Sequence, residues 1–193
     1  MFEQSRNMSR LACTRMEYIR KNDTRSGRGY GDIIGEQEKP KNSAIDRAVT
    51  IAVDDVRLQD NLHIPEKTKG LVVFAYGSGS SRHSSRNRYV AEVLNEQQLG
   101  ALLIELLSAQ EEQVDLKTRH LRFDIPLLAN RLVDIVDWIK NQDEIKYFTI
   151  GYFGSSTGCD AALIAAANKP EPIRAIVSRG GRPDLAVKIF SSH

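Results

Sequence analysis

The chain has 193 residues, 41% of them hydrophobic and 27% charged, with a formal net charge of +2. This balance fits one globular domain with a sizeable core. It gives no reason to expect nucleic acid or an anionic membrane as partner, and no apolar run approaches the roughly 20 residues of a membrane span.

In chain order, residues 1–45 are polar and mixed in charge, with Gly27, Gly29, Gly31 and Gly35 close together and a short helical pattern from Leu11 to Arg20. They read as a flexible extension preceding a domain at 46–193. The extension has no hydrophobic h-region, and Glu3, Glu17 and Asp23 argue against a transit peptide, so the expected location is cytoplasmic. Cys13 and Cys159 are expected as free thiols rather than a bridge.

From Ala48 the pattern changes. Val49–Val53 predicts a strand, and Val56–Ile64 its hairpin partner, ended by Pro65. Leu71–Tyr76 is a continuous apolar run, as in a buried parallel strand. A glycine-serine loop follows, then a helix at Asn87–Gln97 and a strand at Ala101–Leu107. Residues 108–121 are polar and read as irregular. Asp124 can cap a helix with Pro126 in its first turn, and Leu127, Leu128, Leu132, Ile135, Val136 and Ile139 give that helix an apolar face. A strand ending at Phe153, an alanine-rich helix stopped by Pro170 and Pro172, and a strand at Ile173–Val177 complete the series. Strands alternating with helices predict an α/β fold, a mostly parallel sheet with flanking helices and an antiparallel hairpin at one edge.

The chemistry centres on Gly154-Ser155-Ser156-Thr157-Gly158. This G-x-S-x-G lies directly after an apolar strand and before a helix, the context of a nucleophile elbow. There the serine occupies a strained turn, the glycines let backbones pass closely, and the helix N-terminus favours developing negative charge. One oxyanion donor would be the backbone N–H of Thr157. The second would come from the loop after the third strand, with Ser78 the candidate and Gly79 next.

Four segments resemble the dienelactone hydrolase-like branch of the α/β-hydrolases. They are Val72–Asn87, Arg122–Ile125, Gly151–Gly158 and Ser178–Ala186, in the same order and spacing between Ala48 and Ala186. The resemblance implies an α/β-hydrolase acting on a small-molecule ester or lactone, with Ser156 as nucleophile and no metal or organic cofactor. Tyr76 stands where the family commonly has a histidine that supports the loop. The family also places its acid and histidine after later strands. Each further strand-helix unit needs about 30 residues, and only Val187 to His193 remain. The sheet is therefore expected to be incomplete at its C-terminal edge, and the chain to be a truncated or frame-shifted product whose own activity is in question.

Other histidines are poor substitutes. His63 is expected on an edge far from the elbow, His120 in a loop before a helix and His193 at the terminus. His83 lies on the correct face of the sheet, more as pocket wall than as base. Asp184 without a histidine activates nothing. Arg82, Arg86, Arg179 and Arg182 should converge with Gly79 and His83 where ligands bind in open sheets. They would hold an anionic group, or else be solvated charges paired with Asp184 and Glu105. Cys159 reads as a small buried residue of the elbow helix. Two other function classes compete: a non-catalytic binding module on the same scaffold, self-associating through the uncovered sheet edge, and a phosphate- or nucleotide-binding domain. For the latter, Gly77-Ser78-Gly79 begins a dinucleotide fingerprint, but Arg82 replaces its third glycine.

Overall fold

The computed structural model describes residues 44–76 and 83–181. The extension reading for residues 1–45, with Cys13, therefore lies almost wholly outside the described residues. Six strands form one sheet: β1 (Ile45–Val53), β2 (Val56–Ile64), β3 (Gly70–Ala75), β4 (Leu99–Ile104), β5 (Thr149–Ser155) and β6 (Ile173–Arg179). Their spatial order is β1-β2-β4-β3-β5-β6. The β1–β2 and β2–β4 pairs are antiparallel, and the rest are parallel. The expected hairpin thus lies at one edge and β6 at the other.

Helices α1 (Ser85–Glu96), α2 (Ala109–Thr118), α3 (Ile125–Lys140) and α4 (Thr157–Asn168) connect the strands, with a short 3-10 turn at Leu121–Phe123. Alternation along β3 separates two cores. Leu71, Val73 and Ala75 join a large cluster with the hairpin and the apolar faces of α3 and α4. Phe74 points the other way, into a smaller cluster with Tyr76, Ala91 and Leu103 under α1. Period-two alternation on a two-faced sheet requires this division.

Helix α3 starts as its sequence dictates. The Asp124 side chain accepts a hydrogen bond from the Leu127 N–H at 3.0 Å, and Pro126 occupies the first turn. Leu128, Leu132, Ile135, Val136 and Ile139 are buried, each contributing about 1.5–3 kcal/mol of burial free energy. At its far end Lys140 Nζ donates to the carbonyls of Lys146 (3.0 Å) and Phe148 (3.1 Å), fixing the turn that feeds β5. The half-buried site holds the Lys140 pKa below its ordinary value, first through burial and then through repulsion by Arg174.

One element departs from the sequence reading. Residues 108–121, expected as irregular, contain α2. Its apolar periodicity is absent because Asp115 is its one buried residue. The start signal is local: Ser108 and Glu111 form a capping box, in which the Ser108 N–H donates to Glu111 Oε2 at 2.8 Å and the Glu111 N–H donates to Ser108 Oγ at 3.3 Å.

Candidate active site

Strand β5 delivers Ser155 to the carboxyl edge of the sheet, and the chain turns into α4 at Ser156. Ser156 has φ 51° and ψ −131°, a region sparsely populated by non-glycine residues. The flanking glycines make the turn feasible. A β-carbon on Gly154 would lie 2.5 Å from Cys159 Cα, and one on Gly158 would lie 2.6 Å from the Ala75 carbonyl carbon and 2.7 Å from the Tyr76 oxygen. Neither position accepts a side chain, so the spacing of the motif reflects two close backbone approaches.

Thr157 is the first helical residue, so its N–H lies outside the intrahelical ladder. It is nine-tenths buried, and its Oγ1 has no hydrogen-bond partner among the described residues. The first turn of α4 closes with Cys159 N–H donating to the Ser156 carbonyl at 2.9 Å. Cys159 is fully buried and its Sγ donates to Ser178 Oγ at 2.8 Å. Burial pushes its thiol pKa up, Ser178 partly opposes that, and Asp160 adds to it. A buried neutral thiol is inert, in keeping with the packing role expected for Cys159.

A cleft of about 350 Å³ opens beside Ser156, lined by Ser84, Arg86, Asn87, Ser155, Arg179 and Gly180. Arg86 comes from the first turn of α1 and Arg179 from the end of β6. Both are exposed, and among the described residues neither forms an ion pair. Two of the four arginines singled out from sequence therefore meet at the serine. Ser78, Gly79, Arg82 and Arg182 lie outside the described residues, as do Asp184 and His193. His83 is exposed and is not among the residues lining the cleft.

The remaining described histidines are remote. His63 sits on β2 with Nδ1 2.8 Å from Asp46 Oδ1, separated from β5 by β4 and β3. His120 is exposed and its Nδ1 lies 2.7 Å from Thr118 Oγ1. The cleft also recruits Ser84, Asn87 and Gly180, which motif reasoning passed over. For Asn87 the signal was a polar residue in the first turn of a helix, which here is buried. No three metal-ligating side chains converge among the described residues, and no helix there is long and apolar enough to cross a membrane.

The fold has counterparts among solved structures. The crystal structure of dienelactone hydrolase from Anabaena variabilis is 56% identical, superposes with a TM-score of 0.72, and is matched over 75% of this chain and 67% of that one. The esterase Est1E from Butyrivibrio proteoclasticus is 21% identical at TM-score 0.55, covering 67% of this chain and 49% of its own. The Pyrococcus furiosus esterase Pf2001 is 20% identical at TM-score 0.59, covering 78% and 60%. These two show the fold alone. Two Mycobacterium tuberculosis proteins, provisionally named phosphoribosyl transferases, are 51% identical over 141 residues, which is 73% of this chain. The chain spans 31% of the length of those relatives. No protein-family model matches the chain. With this sheet order, this turn into α4 and a dienelactone hydrolase 56% identical over two-thirds of its length, the chain belongs to the dienelactone hydrolase-like branch of the α/β-hydrolases.

Proposed function

We propose that this chain carries the nucleophile of an ester- or lactone-hydrolysing site, with Ser156 as the attacking residue. The observation that supports it is the backbone of Ser156, held at positive φ between β5 and α4 at the mouth of a cleft. A strained turn of this kind persists only when its surroundings enforce it, and such strain gathers at active sites. Ser156 Oγ would bond to the substrate carbonyl carbon as its proton passes to a base. The oxyanion would be met by the N–H groups of Thr157 and Ser78, each such donor worth about 3–4 kcal/mol in the transition state. Loss of the alcohol or opening of the lactone leaves an acyl-serine, which water then cleaves.

Arg86 and Arg179 would hold an anionic group on the substrate, since both line the cleft and among the described residues neither is paired with a carboxylate. Gly79, Arg82, His83 and Arg182 remain proposed as further substrate contacts. None of the described histidines lines the cleft, and the hydrolase reading requires a base that reaches Ser156. This same observation favours a second reading, a binding module in which the elbow is idle. The transferase name belongs to proteins of which this chain spans 31% of the length.

Labelling with a fluorophosphonate separates the two readings. Stoichiometric labelling that disappears in Ser156→Ala is the expected result. Labelling no greater than that of the variant would overturn the hydrolase reading and leave the binding module.

A further inference from the structure

Helix α2 is attached unlike the others. Val114 and Leu116 are 50% and 60% exposed, and no apolar side chain of the helix joins either core cluster among the described residues. Most helices in proteins owe their stability to packing of an apolar face. Here charge replaces it. Arg131, buried on α3, donates from Nη1 to Glu111 Oε2 at 2.9 Å and from Nη2 to Glu111 Oε1 at 2.5 Å. Its Nη1 also donates to the Leu106 carbonyl at 2.5 Å, just ahead of the helix. This bidentate pair joins α2 to the body of the domain.

A second pair lies within the segment itself. Asp115, almost fully buried, accepts from Arg122 Nε in the 3-10 turn and from the Arg122 backbone N–H at 3.2 Å. Arg122 Nη2 also donates to the Asp115 carbonyl at 3.3 Å. Helix and turn are thus stitched to one another, and the stitched unit is latched to α3 through Glu111. Removing one partner of such a pair leaves the buried Arg131 charge uncompensated, so the latch depends on both residues.

We propose that residues 109–123 form a strap that opens as one unit when the Glu111–Arg131 latch breaks, while the sheet stays folded. The strap leaves the carboxyl end of β4, the edge of the sheet that also carries Ser156, Arg179 and Gly180. Its opening would reshape the rim of that edge. Locally opening units of this kind are marked by few buried apolar contacts.

Native-state hydrogen exchange on the whole chain, in urea below the unfolding transition, tests the proposal. In the wild type, amides of α2 should exchange through one shared opening whose urea dependence is well below that of global unfolding, while those of β3 and β5 follow global unfolding. Glu111→Gln should speed exchange across 109–123 at least tenfold and leave β3 and β5 unchanged. Two results would overturn the strap: α2 amides sharing the rate and urea dependence of the sheet in the wild type, or Glu111→Gln leaving α2 exchange unaltered. If the variant does not fold, the wild-type urea series decides alone.

Discussion

Gly158 sits against the backbone of Ala75 with no space for a side chain: a β-carbon would lie 2.6 Å from the Ala75 carbonyl carbon and closer still to its oxygen. This contact sets the first turn of α4, and with it Ser156, against the end of β3. Because the obstruction is backbone, it cannot be relieved by a rotamer change. Gly158→Ala should cost about 3 kcal/mol or more. Gly151→Ala is the control, since its nearest atom would be 3.5 Å away. Urea unfolding of both variants should show a large loss for the first and little for the second.

Ser156 holds a conformation that costs an L-residue about 1–3 kcal/mol, while a glycine there would lose about 0.5–1 kcal/mol in chain entropy relative to alanine. Ser156→Gly should therefore raise stability by roughly 0–2.5 kcal/mol while abolishing fluorophosphonate labelling. A thermal melt and a labelling gel on one preparation check both halves. Loss of stability would mean that the hydroxyl, rather than the turn, dominates at this position.

Much of this architecture was legible in the sequence. The apolar runs of β3 and β5, the proline-marked start of α3 and the glycine spacing of the elbow each reflect a local requirement that a pattern can encode. Helix α2 was not legible by periodicity, because Glu111 and Asp115 attach it to arginines 20 and seven positions away instead of burying an apolar stripe. Its capping box, Ser108 with Glu111, was the available signal. Arg86 and Arg179 were singled out because both lie toward the carboxyl ends of strands, and both line the cleft. Their lack of ion pairs among the described residues required coordinates.

That lack of partners sets an expectation for specificity. A carboxylate-bearing phosphonate should react with Ser156 faster than a neutral analogue of equal leaving group. Arg179→Gln should reduce that preference about tenfold or more, as expected for loss of a charge-assisted hydrogen bond. The neutral reagent should be little affected. Equal slowing of both reagents would assign Arg179 to the shape of the cleft rather than to an anion.

The strap should respond to acid. Burial alone would raise the pKa of Glu111, but hydrogen bonds from Arg131 and Ser108 outweigh it and hold it below the usual carboxylate value. For Asp115, burial is likewise overcome by Arg122. Groups with lowered folded pKa values stabilise in full above their unfolded values, about 4. That contribution is lost as pH falls through the folded values. Asp115→Asn should therefore be less stable than wild type at pH about 7, and the two stability curves should converge as pH drops. A gap that stays constant down to low pH would remove the ion pair as its source.

Asp134 has the opposite sign. It lies half-buried on α3, where burial first, then Asp54 and Asp137, raise its pKa, with Lys169 partly opposing them. Lys169 is itself paired with Asp137, so its charge is shared. An acid whose folded pKa is raised opposes folding while ionised, and the cost is relieved as pH falls through that raised value. Asp134→Asn removes the charge at nearly constant shape, so it should raise Tm at neutral pH, with the gain shrinking toward acid. Thermal melts across the acid range would decide. A gain that persists unchanged at pH about 3, where a carboxylate of raised pKa is already neutral, would place its origin in packing instead of charge.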